Sequence, residues 1–361
     1  MSWTYEEIER DWLAGSAVAV ASSEMVAAFD RCERLLGRDW INSASEGSGG
    51  RVVGASPTLG VVSVGQSLAS LEDVADLQQL IDKVRGREPY ALAELRAVHL
   101  LRSDGAARIE LEPMISDGNR KCDFRIQREP GPWVYVEVTR PDKSEAEARL
   151  QTVIQSLCSK LISVKKTFTL EVFFRREPAD DELSEVLTAA LSFCSSEAPV
   201  EATSKEELPY DLGLLILNQQ QVGQVVIDDY GEAKVPRLGR SQAIIGQGEP
   251  NRHVVVRMPF ADQRAERFLT TEARQLPTDA PGLIMVDMAR VLGGFSVWEE
   301  IIQRRLQPAM HTRVGGVCLF SSGLILTESG MANRLQKKLI ANPHAKIPLP
   351  AWIGETVDAA G

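Results

Sequence analysis

Two carboxylates, Asp123 and Glu137, each sit in a short run of alternating polarity, and their spacing points to a shared site. In CDFRIQ, Cys122, Phe124 and Ile126 share one face of an extended strand, while Asp123, Arg125 and Gln127 share the other. In WVYVEVT, Val134, Val136 and Val138 take the apolar face, leaving Tyr135, Glu137 and Thr139 opposite. Between the runs lies EPGPW, whose prolines and glycine break strands and set turn dihedrals. If the strands pair, both carboxylates converge on one polar face. Carboxylates on neighbouring strands offer hard oxygen donors, which suit Mg²⁺ or Mn²⁺ and require no histidine.

The flanking segments must position this hairpin. PYALAELRAVHLLRSDG reads as a helix, with Pro89 near its start and Gly105 past its end. ARIELEP reads as a strand. SEAEARLQTVIQSLCSKLISVKK reads as a long amphipathic helix opened by a Ser144/Glu147 capping box, and TLEVFF as a fourth strand. The order over residues 89–174 is helix, three strands, helix, strand.

That order, with an Asp entering one strand and Glu-x-x on the next, resembles the PD-(D/E)XK nuclease superfamily, also called the restriction-endonuclease-like fold. The resemblance implies an α/β protein with an αβββαβ core on a mixed sheet. It implies that Asp123, preceded here by Cys122 instead of Pro, is a metal-binding Asp. Glu137, in Glu137-Val138-Thr139, is then the second metal ligand, and Glu94 is the helical Glu placed beside the metal. It further implies one or two Mg²⁺ (or Mn²⁺) ions acting on a phosphodiester. The departure is at position 139, where the family's catalytic lysine is expected and Thr139 stands. A hydroxyl cannot supply that positive charge. Lys143 and Lys160 are the favoured substitutes, with Lys121 and Arg140 as further candidates.

The chain has 361 residues, 44% hydrophobic and 25% charged, enough to bury a sizeable core. A net charge of -10 argues against a protein that coats nucleic acid with its whole surface. Residues 120–176 nevertheless hold 12 Lys and Arg against 7 Asp and Glu, a basic stretch suited to handling phosphate. The 5 cysteines are widely spaced without CxxC pairs, so buried reduced thiols are expected and a structural zinc site is not. No apolar run reaches the ~18–20 residues needed to span a bilayer. The acidic start MSWTYEEIERDWL is unlike a signal peptide, so a cytoplasmic location without membrane partners is expected.

The expected organisation is an N-terminal helical segment and linker (1–50), the nuclease-like core (51–178), a further α/β part (179–330) and a surface tail (331–361). Residues 51–66 read as strand, and SLEDVADLQQLIDKVRG as a helix capped by Ser70 with Asp73 three residues on. In the C-terminal part GLLILNQ, GQVVIDD, HVVVRMPF and GLIMVDMA read as strands, and ADQRAERFLTTEARQL as a helix. Asp287, ending GLIMVD, is expected to serve a turn or cap, and His99 to be packed. The function expected from the resemblance is Mg²⁺-dependent cleavage of a phosphodiester in DNA, ahead of RNA. The rivals are a catalytically inactive nuclease-like fold serving as a binding or assembly module, and a paired-acid salt-bridge site. Nucleic acid, and a second copy or a partner protein, are the expected partners.

Overall fold

Alternation in residues 122–139 produces an antiparallel hairpin, and apolar runs elsewhere build the remaining strands. In chain order these are β1 (Arg108–Leu111), β2 (Phe124–Gln127), β3 (Val134–Thr139), β4 (Phe168–Phe174), β5 (Ser204–Glu207) and β6 (Gly213–Asn218). They continue with β7 (Leu238–Ile244), β8 (Arg252–Pro259), β9 (Gly282–Asp287), β10 (Val314–Thr327) and β11 (Gly330–Ala341). This computed structural model describes residues 2–13, 17–45, 57–88, 90–102, 107–115, 120–141, 145–196, 204–218, 238–245, 252–259, 264–291 and 294–359. The chain is a mixed α/β protein, and no helix among the described residues is long and apolar enough to cross a membrane.

The chain divides into two compact units. The first comprises Met1–Pro141, Ala265–Arg290 and Trp298–Gly361; the second comprises Asp142–Arg264 and Val291–Val297. The first holds a sheet of order β1-β2-β3-β9-β10-β11. β1, β2 and β3 form an antiparallel meander, β9 runs parallel to β3, β10 parallel to β9, and β11 returns as a hairpin. The apolar face of this sheet carries Phe124, Ile126, Val134, Val136, Val138, Leu283 and Met285. It packs into one core with residues of helices Ser22–Leu36, Pro57–Ala69 and Ala91–Leu101. The second unit holds a sheet of order β5-β6-β4-β8-β7 with its own core, in which β4 and β8 pack with helices Glu145–Leu161 and Asp180–Ser195.

The elements at 89–174 form in the expected order, but they do not make one sheet. β4 joins the second unit, between β6 and β8, so the core expected at 51–178 is discontinuous. The place beside β3 goes to β9, whose six residues are all buried. An unbroken apolar run suits a parallel strand covered on both faces. Within the first unit the succession is helix Ala91–Leu101, β1, β2, β3, then, after the intervening second unit, helix Arg264–Glu272 and β9.

Three further expectations are corrected. Within 51–66 a helix, Pro57–Ala69, replaces the expected strand. It is buried around most of its circumference, and packing overrides the strand preference of its valines. Ser70 does not cap a helix: its hydroxyl donates to the Ser67 carbonyl at 2.7 Å and lies 3.1 Å from Nδ1 of half-buried His99. Asp73 instead pairs with Arg102 at 2.5 Å, and the helix runs Leu77–Arg85. The expected surface tail is structured, since β11 pairs with β10 along its length and helix Ala351–Ala359 buries Ile353 and Val357 in the first core. The expected strand GQVVIDD and the Ser144/Glu147 capping box lie outside what the structure describes.

Candidate functional site

The register of the hairpin brings the two carboxylates together. Phe124 pairs with Val136 and Arg125 with Tyr135. Continuing that register by one residue sets Asp123 opposite Glu137, on the face away from the valines. Asp123 precedes the first ladder residue of β2, and its Oδ2 accepts the Val138 backbone N–H at 2.7 Å. One carboxylate oxygen is thus fixed to the backbone of β3, and the side chain is held against Glu137. Cys122 lies beside them: its buried thiol donates to the Val136 carbonyl at 3.0 Å and also hydrogen-bonds the Glu137 carboxyl.

Two further acids complete the cluster. Glu94, on helix Ala91–Leu101, has a carboxylate only 13% exposed that feels the charge of Asp123. Glu272 ends helix Arg264–Glu272, accepts from Gln275 Nε2 at 2.9 Å and hydrogen-bonds the Thr139 hydroxyl. Position 139, where a lysine was expected, is therefore engaged with a carboxylate.

Burial is the leading cause of raised pKa values throughout the cluster, and mutual repulsion adds to it. Glu137 is pushed up to about 10 by burial, then by the charges of Asp123 and Glu272. Its Oε1 is buried with no hydrogen-bond partner among the described residues. Glu94 is raised to about 7 by burial and by Asp123. Asp123 is raised by burial, against the stabilising Val138 N–H. Glu272 is raised as well, again chiefly by burial.

The basic residues fall differently from expectation. Lys160 is exposed on helix Glu145–Leu161 in the second unit, and Lys143 lies outside the described residues. Arg140 is buried just past β3. The basic stretch 120–176 is divided as well, since the first unit ends its share at Pro141. Among the described residues a lysine does reach the cluster: Lys83, from helix Leu77–Arg85, with Nζ 3.3 Å from Glu94 Oε2 and 3.0 Å from Glu112 Oε1. Lys121 meets the other oxygen of Glu112 at 3.0 Å. Burial alone would lower the pKa of Lys83, but the Glu112 hydrogen bond and the charges of Glu94 and Glu112 outweigh it and leave it raised. Glu112 has a φ of 47°, a left-handed conformation that costs a non-glycine residue on the order of 1–3 kcal/mol. Its N–H donates to the Asp123 carbonyl at 2.9 Å, tying this turn to the site.

Glu272 and Lys83 were not singled out from the sequence. One signal pointed to Glu272: a helix directly preceding the most continuous apolar strand, GLIMVD. Nothing comparable marked Lys83. Asp287 fills a turn role, accepting the Ala289 N–H at 2.9 Å and pairing with Arg96 at 3.4 Å, which ties the end of β9 to helix Ala91–Leu101.

Among the described residues no group of three or more His, Cys, Asp or Glu side chains is arranged to hold a metal ion. The donors that would be available are the Asp123–Glu137 pair, and two carboxylates completed by water and substrate oxygens would match the habit of Mg²⁺. Glu137, whose carboxyl hydrogen-bonds Asp123 and Cys122 while its buried Oε1 has no partner among the described residues, would fit such an ion once ionised. No family model matches the chain, and no curated protein matches it.

Proposed function

We propose that the first unit is a divalent-metal-dependent phosphodiesterase acting on nucleic acid, DNA ahead of RNA, built on a restriction-endonuclease-like core into which the second unit is inserted. The observation that carries the reading is the opposition of Asp123 and Glu137 across β2 and β3, with Glu137 Oε1 buried and without a hydrogen-bond partner among the described residues. The succession of helix, three antiparallel strands, helix and parallel strand supports it, once β9 takes the place first given to β4.

Asp123 and Glu137 would hold Mg²⁺ or Mn²⁺, which when bound supplies Lewis-acid charge to the scissile phosphate and makes water a stronger nucleophile. Asp123 keeps Oδ2 on the Val138 N–H, and its side-chain hydrogen bond with Glu137 is the contact that a bound ion would replace. Glu94, with a pKa near 7, is matched to proton transfer at neutral pH, and its carboxylate is the group to accept a proton from the attacking water. A second reading, a catalytically inactive binding module, is favoured by Thr139, whose hydroxyl is committed to Glu272.

Supercoiled plasmid incubated with Mg²⁺ or Mn²⁺ separates the two. Nicking by the wild-type protein that falls at least about a hundredfold in Asp123→Ala and Glu137→Ala is the result expected of an active site. Metal-dependent binding without nicking would favour the module, and nicking that survives Asp123→Ala would remove the hydrolytic reading.

A further inference from the structure

We propose that Lys83 is the phosphate-contacting cation of the carboxylate site, a role that rests on the reading of that site given above and extends it to a residue outside the helix–strand succession. The site gathers Glu94, Asp123, Glu137 and Glu272, and a polyanion entering it meets four acids. A compensating cation is needed near Asp123, and position 139 does not provide one. Among the described residues, Lys83 is a cation whose charge bears on Asp123. Its ammonium stands between Glu94 and Glu112, and its side chain is 23% exposed, so it is anchored at the rim without being sealed in. Lys121 shares Glu112 but is 53% exposed on the outer side of that carboxylate.

The geometry suits transfer of a contact. Lysine carries three donors on a flexible four-carbon stem and acts on phosphate as a point charge. Two carboxylates hold Lys83 while the site is empty of substrate, and Glu112 can pass to Lys121 alone when Lys83 turns to a phosphate oxygen. The competing account is a salt-bridge strut that ties helix Leu77–Arg85 to the turn after β1. The two accounts differ in what removing the charge does to cation binding. Loss of an ammonium that only contacts phosphate removes a charge repelling the divalent ion and leaves its ligands in place, whereas loss of a strut displaces those ligands and weakens the ion's binding.

The test uses the full chain, a fluorescein-labelled DNA duplex read by anisotropy in Ca²⁺ to hold off cleavage, and calorimetric titration with Mn²⁺ alone. Lys83→Met is expected to weaken duplex binding about tenfold or more, as loss of a charged hydrogen bond does, while Mn²⁺ binds as tightly as to wild type or tighter. Lys83→Arg should restore duplex binding to within about threefold. Glu112→Gln breaks the strut but keeps the cation, and is expected to hold or improve duplex binding. The inference is overturned if Lys83→Met binds duplex like wild type, or if it loses Mn²⁺ and duplex together. It is equally overturned if Glu112→Gln matches the Lys83→Met loss, or if wild type binds no duplex. A wild-type protein that fails to nick plasmid, while Lys83→Met still loses duplex binding, would remove hydrolysis and leave the lysine's role standing.

Discussion

At Glu137 the cost of gathering acids in a buried site is visible in one side chain. A carboxyl raised from 4.5 to about 10 by burial and by neighbouring acids stays protonated in the folded state at pH values where the unfolded chain has ionised it. The folded state then binds more protons, so its contribution to stability is full below about pH 4.5 and is lost as pH rises toward 10. Glu94 adds a smaller loss with the same sign between 4.5 and about 7. Melting of the first unit should therefore weaken from pH 5 to pH 9. Glu137→Gln should flatten that decline and gain about 1–2 kcal/mol at pH 9, roughly 2–8 °C in Tm, while gaining little at pH 5. A Tm that climbs across this range in wild type, or a variant less stable at pH 9, would show that the carboxyl is not held protonated. Because the ligands must ionise to take a divalent ion, Mn²⁺ binding should release about one proton and tighten by up to about tenfold per pH unit between 6 and 8. Calorimetry in buffers of different ionisation enthalpy reads that proton directly, and binding independent of pH would contradict it.

Among the elements, β9 decides whether the site exists, because it flanks β3 where Glu137 and Thr139 sit. Met285→Ala empties a fully buried position in the first core and should cost about 2–5 kcal/mol; Leu170→Ala does the same to the second core on β4. Hydrogen exchange should rise in β3 and β9 for the first variant, together with weaker Mn²⁺ binding. For the second it should rise in β4, β6 and β8, with Mn²⁺ binding unchanged. Exchange in β1 to β3 raised by Leu170→Ala would restore β4 to that sheet. Much of this was legible in the sequence where the determinants are local. Period-two alternation and the EPGPW turn define the hairpin and the face that Asp123 and Glu137 share. Which later strand lies beside β3 is a long-range choice. Two helix–strand pairs fit, and proximity along the chain favoured the wrong one. Helix Pro57–Ala69 was hidden because its valines are set by burial on most sides, not by amphipathic spacing. Lys83 in LIDKVRG looks like any basic residue closing a helix, and only the folded chain brings it to Glu94 and Glu112.

For the whole molecule, charge sets how nucleic acid would be met under the proposed function. A net charge of -10 opposes a duplex wherever acidic surface lies within a Debye length, about 10 Å at 0.1 M salt. Attraction is left to a few lysines and arginines around the site, and each phosphate contact contributes about -0.9 to the slope of log K against log salt. With about three such contacts, affinity should fall roughly fiftyfold between 50 and 200 mM salt, from a weak starting value. Tight binding at physiological salt therefore needs more cationic surface than this chain provides on balance, and a second copy or a basic partner protein is the expected source. The measurement is duplex binding at several salt concentrations in Ca²⁺, with the mass of the binding species followed by light scattering. Weak, steeply salt-dependent binding by the monomer, tightening as the mass rises, is the expected outcome. A monomer that holds duplex tightly at 200 mM salt would mean that recognition rests on apolar or base contacts, which a net charge cannot reveal.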